Sequence, residues 1–369
     1  MTKHLRPTVA RIDLDALAHN FRVVQGVVGE GSRVLAPVKA DAYGHGAVEC
    51  ARALERAGCR HFGVATVLEG MELRDGGVKG EILCLGGVHS GFEAALEHRL
   101  TPMLFSLEAA EELGRVARRR GERVGVHLKV DTGMNRLGVL AGEWEQFVRR
   151  VAEVEGLRVE GIATHFSDAD VEGSEFSLEQ HRRLREAVEV VRRVGLEPGV
   201  VHAANSAGTA RFPETRLDMV RVGIALYGVD TEGLWGGALK PVMSVSSELI
   251  HLKEIPAGEG VSYGRTWRSS EPTLIATLPV GYADGYRRVL SNVGFVEIRG
   301  VRCPLRGNIC MDLCMVDVTA LKGRVEVGDE AVLLGGGLTA AELASWSDTI
   351  PYEILTGFSP RVPRLFSGV

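Results

Sequence analysis

Lysine is scarce in this chain, with seven residues against 36 arginines. Any chemistry that needs a primary amine therefore draws on a small pool. The six cysteines (Cys50, Cys59, Cys84, Cys303, Cys310, Cys314) form no CxxC pair, and their spacing suits no zinc site. A chain of 369 residues can bury enough apolar surface to do without disulfide staples. The cysteines thus read as reduced, mostly buried thiols, and the protein as cytoplasmic. No uncharged apolar stretch is long enough to span a membrane, and Met1–Asn20 is charged, without the apolar centre of a secretory leader. The formal net charge of −5 gives no electrostatic case for nucleic acid. There is no low-complexity tract.

What is present is alternation. Thr8–Asp13 reads as an opening strand, with Asp13 placed to cap a helix over Leu14–Val28. Strand-like runs follow at Arg33–Val38, His61–Ala65, Glu81–Leu85, Thr101–Leu104, Arg123–Val130, Leu157–Thr164, Val200–Ala203 and Leu217–Val222. Helical patterns lie between them. Thr66 and Ser106 sit at N-cap positions, and Thr66 with Glu69 makes a full capping box. The opening strand aside, this is eight strand–helix repeats, which predicts an α/β fold built on a (β/α)8 TIM-type barrel. An open doubly wound sheet is the alternative that the pattern leaves standing.

After Leu234 the texture changes. Trp235-Gly236-Gly237 reads as a loose joint, and short β-type runs follow at Met243–Ile255, Thr273–Pro279, Phe295–Ile298, Cys314–Val318 and Val325–Leu334, with one helical stretch at Thr339–Ser347. The expected organisation is a barrel domain at 1–235 and a mostly β C-terminal domain at 236–369. The opening strand at 8–13 is a candidate to pack with the second domain.

A barrel carries its working residues at the C-terminal ends of its strands. Here those ends hold Lys39 and Tyr43, then Lys129 through Arg136, then His165, then His202 through Gly208, then Arg221 through Gly228. A lysine at a strand end, facing a pocket, sheds solvation and can form a Schiff base with an aldehyde. Asn205-Ser206-Ala207-Gly208 offers a hydroxyl and backbone N–H groups at a helix start, and Gly223-Ile224 allows close backbone approach. Both turns follow strands seven and eight, where barrels often hold phosphate. Ser206 by itself reads as a helix cap. Taken with Lys39, the turns point to a phosphorylated aldehyde, pyridoxal 5'-phosphate (PLP).

The chain resembles the bacterial alanine racemases, the fold-type III PLP enzymes. The resemblance rests on Val38 through Gly46, Lys129 through Gly138, His202 through Gly208, Arg221 through Gly228, Ser262-Tyr263-Gly264, Gly281 through Tyr286, Cys310-Met311-Asp312, Pro351-Tyr352-Glu353 and Pro360 through Arg364. These run in family order over nearly the whole chain. The implied activity is PLP-dependent, two-base interconversion of L- and D-alanine, supplying D-alanine for peptidoglycan.

By that resemblance Lys39 would carry PLP and act as the base on one face of the substrate Cα, with Tyr263 as the base on the other. A tyrosine needs cationic neighbours to bring its pKa toward working pH. Arg221 would face the pyridine nitrogen, His165 would hydrogen-bond Arg221, and His202 would belong to the same cluster. Arg136 would contact the ring hydroxyl and the substrate carboxylate. Lys129 would stand beside it, a candidate for the carbamylation that some members carry. Tyr43, Ser206, Gly223, Ile224 and Tyr352 would bind the phosphate, with Asn205 shaping that loop. Met311 would give its backbone N–H to the substrate carboxylate. Asp312 would support it, and both, with Tyr263, would reach the partner subunit's barrel in a homodimer with shared sites. Leu313 departs from the glutamine common in the family.

Three rivals stand beside this reading. One is a broad-specificity racemase, or a serine or lysine racemase, of the same fold. Another is a fold-type III decarboxylase, and the third is a non-catalytic PLP-binding protein. The acidic loop Ser167–Gly173 reads as solvated and not as a metal site.

Overall fold

The computed structural model describes residues 6–368. The first five residues, part of the stretch read above as lacking a leader, lie outside the described residues, as does Val369. The chain divides into two compact units.

One unit comprises Ala16–Ala42 and Ala47–Lys240. The chain's opening strand, Val9–Asp13, is β1, so the strands of this unit are β2 to β9. They are β2 (Arg33–Pro37), β3 (His61–Val64), β4 (Glu81–Cys84), β5 (Leu100–Leu104), β6 (Val124–Lys129), β7 (Leu157–Ala163), β8 (Val200–His202) and β9 (Met219–Arg221). All pair in parallel, and β2 pairs with both β3 and β9, which closes the barrel. The open-sheet alternative is thereby excluded. Each expected strand is present within two residues of its reading, because apolar strand residues are buried between barrel interior and outer helices. Leu35, Leu83, Met103, Ala163 and Met219 fill the interior together.

Helix ends follow their caps. Thr66 accepts from Glu69 N while the Glu69 carboxylate accepts from Thr66 N, and Ser106 accepts from Ala109 N. The segment around Trp235 is not the loose joint that its glycines suggested. Trp235 is buried, and the Asp230 carboxylate accepts from both Trp235 N and Gly237 N.

The other unit comprises the chain up to Asp15, Tyr43–Gly46, and Pro241 onward. Its largest sheet has six strands, in the order Val301–Pro304, Phe295–Ile298, Glu330–Leu334, Met243–Glu248, β1, Arg364–Ser367. The opening strand β1 runs antiparallel to Met243–Glu248 and parallel to Arg364–Ser367. A second sheet joins His251–Ile255, Thr273–Leu278 and Cys314–Asp317. Two expectations need correction here. Met243–Ile255 is not one strand, since it breaks at Leu249-Ile250 and its halves enter different sheets. Only the second half of Val325–Leu334 is a strand, because Glu326 through Asp329 form a turn closed by Asp329 N donating to Glu326 O. Among the described residues no helix is long and apolar enough to cross a membrane.

Candidate active site

At the C-terminal mouth of the barrel lies a cavity of about 170 Å3, lined by Lys39, Lys129, Arg136, His165 and Arg221 among others. Five residues that the sequence reading singled out are thus brought together within one unit.

Lys39 follows β2 directly, where Val38 N donates to Gly63 O of the next strand. The chain then turns in an unexpected way. Ala40, Asp41, Ala42 and Tyr43 have φ of 52°, 53°, 51° and 55°, a left-handed turn made of non-glycine residues. Each such residue costs about 1–2 kcal/mol, so the turn persists only if its surroundings hold it. Glu69 Oε1 accepts from Ala40 N at 2.8 Å, Asp41 Oδ1 accepts from Ala47 N at 2.7 Å, and Ala42 N donates to Val38 O. Glu69 Oε2 accepts from Ala65 N at 2.6 Å, so one carboxylate ties the ends of β2 and β3 together. The Lys39 side chain is half-buried. Burial lowers its pKa first and Arg136 next, Glu69 opposes, and Arg221 adds a smaller push. A larger neutral fraction makes a better nucleophile.

Arg221 ends β9 and is buried. Its Nη1 donates to His202 Nδ1 at 2.7 Å. Its Nη2 contacts His165 Nδ1 at 2.9 Å, Thr164 O at 2.6 Å and Ala203 O at 2.8 Å. Its Nε–H has no acceptor among the described residues, and Arg221 is one of the residues that line the cavity. Burial, then Arg136, brings its pKa down to about 10, so it stays charged at neutral pH. Burial and then Arg221 push His165 and His202 well below the ordinary histidine range, so both are neutral.

Lys129 ends β6, buried, with no acceptor for its ammonium among the described residues. Burial, Arg221 and Arg136 all lower its pKa strongly, and Asp131 opposes. The Asp131 carboxylate is already engaged with Gly133 N and Asn135 N. Arg136 is exposed on the loop that follows.

The turn after β8 corrects the reading of Ser206. The cap is Asn205, whose side chain accepts from Gly208 N at 2.9 Å. Ser206 is instead buried one residue later, and its Oγ accepts from Gly223 N at 3.0 Å and Ala225 N at 3.4 Å. Its own proton is therefore the part left to give. The helix Ile224–Tyr227 begins beside it, and the leading N–H groups of a helix look outside it for partners.

In the other unit, Tyr43 and Tyr352 stand with ring centroids 6.1 Å apart. Burial and then Tyr352 raise the Tyr43 pKa, so it is a neutral hydrogen-bonding phenol. A Cβ at Gly44 would collide with Leu355 O, which is why this turn needs glycine against the helix Pro351–Gly357. Tyr263 is 76% exposed on a turn that Asn308 pins by donating to Tyr263 O, and its hydroxyl has no partner among the described residues. The cationic neighbours expected to tune it are not hydrogen-bonded to it. Ser262 Oγ donates to Asn308 O, and Ala283 N donates to Met311 O, which links the loops of Tyr263 and Met311 to one framework. Met311 is 53% exposed, Leu313 is exposed, and Arg361 pairs with Asp312 at 2.8 Å.

Three residues escaped the sequence reading. Glu69 reads from the sequence only as a capping-box residue. Gln180 donates to His165 O and accepts from Ser167 N. His127 contacts His202. Each is a polar residue inside an otherwise regular helix or strand, and only chain closure shows its partner. The Asp168 carboxylate of the acidic loop accepts from Ser167 and Ser174, and among the described residues no metal-binding cluster of His, Cys, Asp or Glu gathers.

Two family profiles match the chain: "Alanine racemase, N-terminal domain" over residues 12–231 and "Alanine racemase, C-terminal domain" over 242–366. A relative described as alanine racemase from Geobacter sulfurreducens is 45% identical over 98% of this chain and 97% of its own length. One from Halothermothrix orenii is 41% identical over 97% and 96%. Among solved structures, alanine racemase from the D-cycloserine producer Streptomyces lavendulae superposes with a TM-score of 0.94 at 36% identity, covering 100% of this chain and 98% of that one. The enzyme from Bartonella henselae, described with covalently bound pyridoxal phosphate, gives 0.90 at 31% identity, with 98% and 99% covered.

Proposed function

Because this chain belongs to the alanine racemase family, we propose that it interconverts L- and D-alanine with pyridoxal 5'-phosphate, and that Lys39 and Tyr263 are its two bases. The donor set at the barrel mouth fits that cofactor. Lys39 offers an amine of lowered basicity, Arg221 an uncommitted Nε–H for a ring nitrogen, and Ser206 a hydroxyl proton for a phosphate. When bound, the cofactor supplies a conjugated ring that takes up the electron pair left on Cα as its proton departs.

Lys39 holds the cofactor and moves the Cα proton on one face, and Tyr263 does so on the other. Two bases spare a single group from swinging across a planar centre. Arg221 would donate to the ring nitrogen, and a guanidinium has no acceptor with which to take a proton from it. His165 and His202 hold the guanidinium in place. Arg136 and the Met311 N–H orient the substrate carboxylate. Ser206, Gly223, Ile224, Tyr43 and Tyr352 hold the phosphate around the cap of Asn205. Lys129 pairs with Arg136 as a carbamate, which would remove the cost of a buried unpaired ammonium. Asp312 steadies the Met311 loop through Arg361. The enzyme acts as a homodimer in the cytoplasm, with Tyr263, Met311 and Asp312 given to the partner's barrel, and its D-alanine feeds peptidoglycan synthesis.

The observation that carries this reading is the half-buried Lys39, its basicity lowered by burial, sharing a cavity with Arg221. The test is racemisation of alanine, serine and lysine by the purified PLP-loaded protein, with Lys39→Ala beside it. Alanine should turn over fastest in both directions, and Lys39→Ala should lose both activity and the visible absorbance of bound cofactor. Retained absorbance in that variant, or carbon dioxide release in place of racemisation, would overturn the assignment.

A further inference from the structure

His127 lies two residues before Lys129 on β6, so both side chains share the inward face of the barrel. Its Nδ1 is 2.8 Å from His202 Nε2, and the two rings meet edge to face at 5.0 Å between centroids. The direction of this contact follows from Arg221. A guanidinium has donors and no acceptor, so His202 Nδ1 must accept from Arg221. The single proton of neutral His202 is then on Nε2, which donates to His127 Nδ1. His127 in turn carries its proton on Nε2. The chain runs one way: Arg221 to His202 to His127.

The barrel wall is shaped around this ring. Gly161 is the cross-strand partner of His127, and a Cβ there would collide with the His127 imidazole. Gly161 is not among the positive-φ glycines, so its backbone does not require glycine, whereas the close approach of His127 does. The β6–β7 register shifts between Val126 and His127. Such irregularities re-aim a side chain.

We propose that His127 is a positioning residue of the racemase site: by accepting the His202 Nε2–H it fixes the tautomer through which His202 receives Arg221, and so fixes where Arg221 presents its free Nε–H. This rests on the reading of Arg221 as the partner of the cofactor's ring nitrogen. A packing role alone would make any residue of similar size serve at 127. The positioning role requires an acceptor at the place of Nδ1, which the side-chain oxygen of asparagine can occupy and leucine cannot.

The experiment compares wild type, His127→Asn, His127→Leu and Arg221→Leu. Selective 15N-histidine NMR on the apoenzyme and the PLP-loaded enzyme reads the His202 tautomer, and racemisation kinetics are run on the loaded forms. His202 should carry its proton on Nε2 in wild type and in His127→Asn, and should lose that single tautomer in His127→Leu. The kcat of His127→Leu should fall about 10- to 100-fold with KM little changed, and His127→Asn should stay within about threefold of wild type. A wild-type His202 protonated on Nδ1 overturns the proposal, and that spectrum needs no variant to fold. Equal losses in His127→Asn and His127→Leu, or none in either, overturn it as well. If Arg221→Leu loses activity while His127→Leu does not, the His127 proposal alone fails. If Arg221→Leu keeps the wild-type rate, the reading of Arg221 fails.

Discussion

The histidines around Arg221 are neutral because they are buried beside a cation that cannot give up its proton. Burial, then Arg221, lowers His127 to about 4, and the same causes push His165 and His202 well below 6.5. An unfolded chain binds protons on these rings as pH falls through about 6.5, and the folded chain resists. Their stabilisation is therefore present above pH 6.5 and is lost as pH falls, for His127 on the way down to about 4. For His127 alone the difference amounts to about 3 kcal/mol at most. The urea midpoint of the apoenzyme should drop between pH 7.5 and 5, and His127→Asn should flatten that slope. A slope identical in the variant would show that the ring titrates normally in the fold. Arg221, His165 and His202 were legible because each stands at a strand end, where a barrel gathers its chemistry. His127 was not, since a histidine within an apolar strand looks the same whether it packs or pairs.

The element that departs furthest from local preference is the turn after Lys39. Of the four residues at 40–43 only Asp41 is of a type that visits positive φ with any ease, and the alanines by propensity favour a right-handed helix. The long-range clasp by Glu69 overrides this, so the sequence marks a turn here and not its hand. At a left-handed position glycine relieves strain instead of adding entropy cost. Ala40→Gly, exposed and in the turn, should thus be neutral or stabilising by up to about 1 kcal/mol, while Ala152→Gly in the right-handed helix Trp144–Glu153 should cost about 0.5–1 kcal/mol. Paired thermal melts decide it, and a loss at Ala40 as large as at Ala152 would mean the turn is right-handed in solution. Strands of the C-terminal unit were harder to read for a related reason. Arg364–Ser367 has only four residues, two of them apolar, and it becomes a strand because β1, more than 350 residues earlier by the register Ala10 to Arg364, supplies its hydrogen bonds.

At the scale of the molecule, the chemistry expected of this family is divided between the two units. Lys39, Lys129, Arg136, His165, His202, Ser206 and Arg221 belong to the barrel unit, and Tyr263, Met311 and Asp312 to the other. Strand–helix alternation made the first unit readable from its period alone, whereas nothing local in Ser262-Tyr263-Gly264 marks a catalytic tyrosine. Large side chains as exposed as Tyr263 and Met311 gain from a partner that covers them. If the proposed dimer exchanges these residues, a Lys39→Ala chain still lends a sound Tyr263, and a Tyr263→Phe chain still keeps a sound Lys39. Each variant alone has two damaged sites per dimer. A hybrid dimer has one site with both lesions and one with neither. Random exchange in an equal mixture makes half the dimers hybrid, so about a quarter of wild-type activity should return. Differently tagged chains, co-expressed and purified through both tags, would raise that to about half in the isolated hybrid. A doubly tagged hybrid with no activity would show that each chain builds its site from its own residues, and the exposed tyrosine would then need another explanation.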